Sequence, residues 1–333
     1  MIERLPPDEA RQWFLLLPPD RRLATLSPDY VITDAGRSAG IEAVFLGYRE
    51  GPSMWLHGVH RSAVPGLDCV DQQSPYGYGG PWTNSDDPGF IGRAWNEYVE
   101  HCRRDGVLAE FVRVHPLAMS WRAYGGEIRE NRATVAIDLT QVDVRMGYET
   151  RCRTAVRKAE KSGVAVSVVS NEHISTSFAR MYRDAMTAIG ADKFYLFEDG
   201  YFRSMSALPG IQLVGGFVSG ECVAAALFLI SGTTMEYHLS AATDTGRRLA
   251  ATSALVDGAA QQGKAAGLRY LYLGGGTDSN PNNPLLFFKR GFSQTTLPFC
   301  IGHTIFRAGL YQSLRDEHRA RGGDVSRVLF YRN

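Results

Sequence analysis

Few side chains in this 333-residue chain are placed to do chemistry, and Lys289 is the first of them. The chain has only five lysines, and this one lies in the segment LFFKRGF (286–292), just after the glycines at 274–276. A positioned ammonium group stabilises the negative charge that develops on a carbonyl oxygen when an amine attacks an ester. The structural alternative is a surface lysine near a helix end, where the helix dipole favours a cation.

The loop at 74–89 is a second candidate, because its sequence SPYGYGGPWTNSDDPG excludes a regular helix or strand. Its glycines let the backbone approach a ligand closely, and its tyrosines offer hydroxyl groups and ring faces. Asp86 can accept a proton from an incoming amine, or it can serve as the N-terminal acid of the following helix. An ordered aromatic turn without a ligand is the alternative for the whole loop. The candidate substrate-binding residues here are Tyr76, Tyr78, Gly79 and Asn84.

Two basic segments are candidates for binding a phosphate-bearing ligand, such as the donor of an acyl group. The helix predicted at 147–162 is strongly basic, and two arginines precede the helix predicted at 249–266. Guanidinium and ammonium groups bind phosphate through charge-assisted hydrogen bonds. The alternatives are a solvated helix face and a solvated charge pair. The candidate donor-binding residues are Arg151, Arg157, Lys158, Lys161, Arg247 and Arg248.

The remaining candidates lie where predicted strands end. Three strand-like runs at 211–218, 222–230 and 234–241 are separated by tight turns, which predicts an antiparallel meander. A further strand at 269–273 runs into the glycines at 274–276. Ligands gather beyond the carboxyl ends of strands in open α/β sheets, although a close-packed glycine turn explains the second feature equally well. The candidate substrate-binding residues are Tyr237, His238, Ser240 and Gly275.

Composition limits the class of protein. A chain of this length is expected to form two domains of about 150 residues each. The net charge of +1 argues against DNA as a partner and restricts any RNA contact to a local patch. Five scattered cysteines without a CxxC pair argue against disulfides and structural zinc, and His57 and His60 fall on opposite faces of a strand, so we expect no metal site. The N-terminus is no signal peptide and no apolar run reaches 18 residues, so we expect a cytoplasmic protein without a transmembrane segment.

The predicted elements form two α/β units. In the second half a three-strand meander is followed by helix, strand, helix and strand, which predicts a mixed, mostly antiparallel sheet flanked by helices. A strand at 299–306 is expected to close that second unit. The elements predicted in the first half are helices at 8–16 and 90–105 and strands at 41–48, 53–60, 107–114 and 133–139. The other elements predicted in the second half are helices at 172–189, 198–207 and 283–290 and a strand at 164–169.

Several segments resemble the FemABX family of aminoacyltransferases, within the wider acetyltransferase-like GNAT superfamily. They are the basic segment 151–163, SAATD at 240–244 and LFFKRGF at 286–292, while the loop at 74–81 resembles the Pro/Gly-rich loop of the family's first domain. The resemblance spans residues 40–310. It implies an α/β (α+β) fold of two tandem GNAT-like units, 1–142 and 143–333, with the acceptor in a cleft between them and the donor site in the second.

The resemblance also implies the roles of single residues. Phe288 and Lys289 match a Phe-Lys pair that supports the transition state of aminoacyl transfer in the family. Tyr76 or Tyr78 stands where related enzymes have an arginine, which favours a small-molecule amine over a phosphate-bearing peptidoglycan precursor. Ala250 stands at the inner glycine of the pyrophosphate-binding sequence of CoA-dependent relatives, which weakens the case for CoA.

We therefore expect a Fem-like acyltransferase. It would move an aminoacyl group from the acceptor end of aminoacyl-tRNA to the amine of a small molecule or a cell-wall precursor, and form an amide. Aminoacyl-tRNA would be a co-substrate, and no tightly bound cofactor is expected. The alternative is a GNAT N-acetyltransferase that uses acetyl-CoA, and a further alternative is a non-catalytic binding module on the same fold.

Overall fold

The computed structural model describes residues 1–118 and 120–332. Ten α-helices and thirteen strands are assigned within these residues. The helices are α1 Pro7–Leu15, α2 Pro28–Ala35, α3 Pro88–Arg104, α4 Thr150–Lys161, α5 Ala179–Ala188, α6 Asp199–Ser206, α7 Asp244–Arg248, α8 Ala251–Ala265, α9 Pro284–Arg290 and α10 Ala308–Ala320. The strands are β1 Glu3–Arg4, β2 Glu42–Glu50, β3 Ser53–Ala63, β4 Val70–Gln73, β5 Trp82–Thr83, β6 Val107–Val114, β7 Glu127–Asp138, β8 Ala165–Val169, β9 Ile211–Val218, β10 Glu221–Ser231, β11 Thr234–Ala242, β12 Tyr270–Gly275 and β13 Thr296–Ile305.

The chain divides into two compact units with a discontinuous boundary. The first unit is Met1–Asn131 together with the segment that starts at Phe299, and the second is Arg132–Pro298. The domains predicted from the sequence, 1–142 and 143–333, have other bounds and stay a prediction. The difference arises because the last strand and helix of the chain pack with the first unit.

The sheet of the first unit has the strand order β1, β2, β3, β4, β6, β13. Strands β2 and β3 form an antiparallel hairpin, and β4 runs parallel to β6. Residues Cys300–Ile305 of β13 pair antiparallel with Ala109–Val114 of β6. The strand predicted at 299–306 therefore pairs within the first unit, whereas the sequence placed it at the end of the second. Strand β6 is almost fully buried, so the backbone groups on its open side need a partner, and β13 supplies it.

The sheet of the second unit has the order β7, β12, β11, β10, β9, β8. Four of its five pairings are antiparallel, and the exception is the parallel pair of β11 and β12. Helix α8 packs on β9 and β10, α4 packs on α8, and α5 packs on β11. The predicted mixed, mostly antiparallel sheet flanked by helices is confirmed. Within the described residues, every helix is too short or too polar to cross a bilayer.

Two predicted helices differ from the observed ones at their starts. The segment predicted as a helix at 172–189 begins with a 3-10 turn and a π turn before α5 starts at Ala179. The helix predicted at 249–266 starts at Ala251, because Ala250 has a φ of 57°, in the left-handed region. Such a residue breaks the run of helical hydrogen bonds, so α7 and α8 are separate helices.

Candidate active site

The parallel strands β11 and β12 separate at their carboxyl ends. Their ladder joins Thr234–Glu236 to Tyr270–Tyr272. Beyond it, β11 continues along β10 to Ala242, whereas Gly274 and Gly275 pair with β7 on the other side. In open α/β sheets, ligands bind beyond the carboxyl ends of strands where neighbouring strands part. The second unit therefore offers a place for a ligand at this point.

Lys289 lies at this place. Its side chain is 7% exposed, and its Nζ donates a 2.8 Å hydrogen bond to the carbonyl oxygen of Gly275. The same Nζ lies 5.9 Å from the centre of the Tyr237 ring. Burial lowers the pKa of Lys289 to about 7. Among the described residues no carboxylate forms an ion pair with it, so desolvation is not offset by an opposite charge.

The local sequence explains why Lys289 points inward. Asn283 caps α9 by accepting hydrogen bonds at Oδ1 from the backbone N–H groups of Leu285 and Leu286, and Pro284 occupies the first helical position. Leu286 is buried, and Lys289 is three residues further on, so both lie on the same face of the helix. Phe288 packs against the hydrophobic core of the unit and against Phe292, 5.2 Å between ring centres.

Three predicted residues of β11 lie around the same strand end. A register shift in the ladder pairs Tyr237 with Phe228 and Leu239 with Leu227, so His238 is the extra residue of a β-bulge. Burial raises the pKa of Tyr237 to about 12, and the hydroxyl of Ser240 acts in the opposite direction. The phenol is therefore neutral near pH 7 and can donate a hydrogen bond. His238 Nε2 lies 3.2 Å from Oη of Tyr201.

The two arginines before α8 have local partners. Arg247 donates to the carbonyl oxygen of Ala242 at 2.8 Å and forms an ion pair with Asp244. Arg248 donates to Oγ1 of Thr245 at 3.1 Å. Both belong to α7, and Ala250 follows them as the N-cap of α8. Their role as donor-binding residues stays a prediction.

The basic helix α4 presents its charges in two directions. Arg157, Lys158 and Lys161 are exposed, and none of them has an ion-pair partner among the described residues. Arg151 instead faces α9, where its guanidinium lies 3.7 Å from the centre of the Phe287 ring. The structure thus separates Arg151 from the other three predicted donor-binding residues of α4.

The predicted residues of the glycine-rich loop lie in the first unit. The backbone N–H of Tyr76 donates to Oδ2 of Asp34 at 2.7 Å, and the ring of Tyr78 packs 4.7 Å from that of His115. The N–H of Gly79 donates to the carbonyl oxygen of Arg113 at 2.7 Å. A Cβ atom at Gly79 would lie 2.6 Å from Cβ of Ser74, so close packing requires glycine there.

Two further candidates of this loop have local partners. Asn84 joins the β2–β3 hairpin: its Oδ1 accepts from the N–H of Met54 at 2.8 Å, and its Nδ2 donates to Pro52. Both carboxylate oxygens of Asp86 accept hydrogen bonds from Arg21, at 2.9 and 3.0 Å. The alternative that Asp86 caps the next helix is wrong, because the N-cap of α3 is Asp87. Asp86 as a proton acceptor stays a prediction.

The histidines that the sequence excluded as a metal pair have other partners. His57 Nε2 lies 2.9 Å from Oε1 of Glu110, which also accepts a 2.5 Å hydrogen bond from Tyr98, and all three side chains are fully buried. His60 Nε2 lies 2.8 Å from the carbonyl oxygen of Val31. Within the described residues no group of histidine, cysteine and acidic side chains could hold a metal ion.

Sequence reasoning missed two residues that shape the candidate site. Asn283 fixes the start of α9, and its signal is an asparagine directly before a proline at the start of a helix. Tyr201 contacts His238 from α6, 37 residues away along the chain, and no local pattern indicates that contact.

Comparison with known proteins concerns the domain and the fold. Residues 147–290 match the family model described as an acetyltransferase (GNAT) domain. No curated protein sequence matches the chain. The crystal structure of FemX superposes with a TM-score of 0.72 at 13% identity, over 94% of this chain and 99% of FemX.

Two other solved structures have the same fold. The C-terminal DUF2156 domain of a candidate lysylphosphatidylglycerol synthetase from Agrobacterium fabrum has a TM-score of 0.59 at 15% identity, over 93% of this chain and 95% of that domain. L-PGS from Bacillus licheniformis has a TM-score of 0.57 at 14% identity, over 94% of this chain and 96% of that protein. At these identities the likeness concerns the fold.

The residues and the comparisons thus lead to the same family. The predicted resemblance to the FemABX-like part of the GNAT superfamily is confirmed for the domain at 147–290 and for the fold. Residues 147–290 match the acetyltransferase (GNAT) domain model, within a chain that has the fold of FemX over 94% of its length.

Proposed function

We propose that the protein transfers an aminoacyl group from aminoacyl-tRNA to an amine and forms an amide. The observation that carries the proposal is the buried ammonium group of Lys289, held by Gly275 where β11 and β12 separate. A cation without a carboxylate partner in a desolvated place is suited to a transient negative charge.

The reaction needs no protein nucleophile, because the aminoacyl ester is already activated. The acceptor nitrogen forms a bond to the ester carbonyl carbon, and the negative charge moves to the carbonyl oxygen beside Lys289. A lone pair of the oxyanion then re-forms the carbonyl double bond, and the bond from that carbon to the ribose oxygen breaks with its electron pair on the ribose oxygen. The proton from the amine passes to the departing ribose oxygen or to water.

The exposed basic face of α4 supports a polyanionic donor. Arg157, Lys158 and Lys161 leave three positive charges in solvent, where they can contact the phosphates of an RNA acceptor stem. The acceptor is the amine of a small molecule or of a cell-wall precursor. One solved neighbour, the candidate lysylphosphatidylglycerol synthetase, is named for a lipid that carries a lysyl group, which is neither of these acceptors.

The first experiment measures donor use directly. Purified protein is incubated with tRNA charged with labelled amino acids and with a panel of amines, with and without ribonuclease. We expect ribonuclease-sensitive amide formation that Lys289→Met lowers about 10²- to 10³-fold, since one electrostatic stabiliser is lost. Lys193→Met, which removes an exposed lysine in the same unit, should have the wild-type rate. The proposal fails if the label stays on tRNA with every amine.

A second candidate is N-acetylation by acetyl-CoA, which the match of residues 147–290 to the acetyltransferase domain favours. The left-handed conformation of Ala250 is one that glycine adopts readily, as expected for the turn before a phosphate-binding helix. A parallel acetyl-CoA series tests it, and the absence of CoA binding in calorimetry would exclude it. If neither donor reacts and Lys289→Met leaves cellular function intact, the binding module is the better description.

A further inference from the structure

The first turn of α4 is attached to the last turn of α9. The backbone N–H of Glu149 donates to the carbonyl oxygen of Gly291 at 2.8 Å. Arg151 donates from Nη2 to the carbonyl oxygen of Phe287 at 2.5 Å, and its guanidinium covers the Phe287 ring. A Cβ atom on Gly291 would overlap Sγ of Cys152. The two segments are therefore in direct contact through backbone, charge and close packing.

Helix α9 needs such an attachment because it is only seven residues long. A helix this short is not stable by itself, and its last four carbonyl groups have no partner within the helix. Asn283 secures its first turn. The N–H of Gly291 bonds to Phe288, so the carbonyl oxygen of Phe287 is left for Arg151, whose charge also suits the negative end of the helix.

We infer that Arg151 is a positioning residue for Lys289, because it fixes the last turn of α9 from which the Lys289 side chain reaches Gly275. This inference rests on the proposed function of Lys289. It assigns Arg151 a place different from that of Arg157, Lys158 and Lys161, the exposed residues of the same helix. Its Nε is paired with Glu149 and its Nη2 with Phe287, so these donors are used within the protein.

The direct test follows the amine of Lys289 without any substrate. The full chain is treated with a small acetylating reagent from about pH 6 to about pH 10, and each lysine is quantified by peptide mass spectrometry. In the wild type we expect Lys289 to become reactive near pH 7. In Arg151→Ala the last turn of α9 loosens and water reaches the amine of Lys289. The pH midpoint of Lys289 acetylation should therefore rise by about one pH unit or more.

Three comparisons keep this test specific. Arg180→Ala, which removes an exposed arginine on α5, should have the wild-type profile, and Lys158 and Lys161 serve as internal references in every sample. Arg151→Lys keeps the charge without the planar guanidinium, so it should behave like Arg151→Ala. The inference is overturned if Lys289 has the same profile in Arg151→Ala as in the wild type, or if it is unreactive in both.

An activity measurement separates positioning from donor binding. With the donor that the wild type uses, Arg151→Ala should lower kcat about tenfold or more and leave KM for the donor unchanged. A raised KM with a weaker salt dependence and rescue by Arg151→Lys would mean that Arg151 binds the donor, which overturns the inference. If the wild type uses no donor, the proposed function fails, and the acetylation profile still decides whether Arg151 positions Lys289.

Discussion

At the scale of the residue, Lys289 combines a functional asset with a cost to folding. Its ammonium group is desolvated, and no carboxylate among the described residues offsets the loss of hydration. The lysine of an unfolded chain keeps its ordinary pKa, which is higher than the value of about 7 in the folded protein. The folded state therefore binds fewer protons than the unfolded state between about pH 7 and about pH 10.5, and stability contributed by this group rises with pH there.

Replacing this lysine by an apolar side chain should stabilise the protein at the expense of activity. We expect Lys289→Met to raise the free energy of unfolding by about 2–4 kcal/mol at about pH 6, where the wild type must hold a charged amine. The gain should shrink by about 2.5–3 kcal/mol at about pH 9, since the wild type is then neutral at this position. Urea unfolding at both pH values measures it. A gain that is independent of pH would contradict the shifted pKa of Lys289.

The sequence predicts part of the site at this scale. Tyr237, Gly275 and the pair Phe288–Lys289 come from three separate segments, and the structure brings Lys289 to Gly275 and to the ring of Tyr237. The hydrogen bonds between Arg21 and Asp86 could not be predicted, because Arg21 is 65 residues away and belongs to no recognisable pattern. Local patterns indicate which residues can do chemistry, whereas long-range contacts decide which of them are already occupied.

At the scale of the element, the junction between α7 and α8 contains a strained residue. An alanine in the left-handed region is less favourable than a glycine, because Cβ approaches the following carbonyl oxygen. Ala250→Gly should therefore raise the free energy of unfolding by about 0.5–1 kcal/mol, after the entropy of the unfolded glycine is subtracted. Thermal unfolding measures this gain.

Ala251→Gly is the matched control, one residue further on. Ala251 is the first residue of α8 and is fully buried, so the same substitution should lower stability by about 1 kcal/mol. Equal effects of the two substitutions would show that the conformation of Ala250 carries no strain.

Gly291 is required by packing rather than by its backbone conformation. Its φ of −63° suits any residue, but a Cβ atom there would overlap Sγ of Cys152 and lie 2.9 Å from Nη2 of Arg151. We expect Gly291→Ala to cost about 1–3 kcal/mol, as overpacking does elsewhere. In a Cys152→Ala background the cost should be smaller, and a double-mutant cycle of urea midpoints measures the difference. An equal cost in both backgrounds would place the strain elsewhere.

The elements themselves were largely readable from the sequence. Strands at 107–114 and 211–218 have the predicted bounds, because apolar runs between glycines and charged turns are strong local signals. The left-handed conformation of Ala250 was not readable, since alanine is the strongest helix former and this conformation depends on packing around α7 and α8.

At the scale of the whole molecule, the first unit is completed by residues far apart in sequence. Arg332 donates to both carboxylate oxygens of Asp71, at 2.6 and 2.7 Å, and Asp71 is 1% exposed. Burial raises the pKa of Asp71, and the guanidinium of Arg332 opposes that effect. Removal of Arg332 would therefore leave a buried carboxylate without its cation.

We expect Arg332→Ala to lower the free energy of unfolding of the first unit by about 3 kcal/mol. This is the low end of the loss that follows when a buried ion pair is broken, because Arg332 is 26% exposed. Arg321→Ala is the control, since Arg321 is 80% exposed and its ion pair with Glu317 lies at the surface. That change should stay within about 0.5 kcal/mol. Urea unfolding compares the two variants, and equal effects would contradict a structural role for Arg332.

Strand pairing at this scale was the least predictable feature. The sequence indicates a strand at 299–306, yet nothing in that segment tells which of several buried strands it joins. Pairing with β6 follows from the need of a buried strand for partners on both sides, and this need is visible only once the sheet is assembled.

The return of the chain at Phe299 has a consequence for synthesis. A ribosome synthesises the chain from its N-terminus to its C-terminus, so residues 132–298 emerge before the segment that pairs with β6. The nascent protein can therefore complete its second unit first, while β6 still exposes an unpaired edge. During that interval the first unit stays incomplete, although its N-terminal residues were the first to be translated.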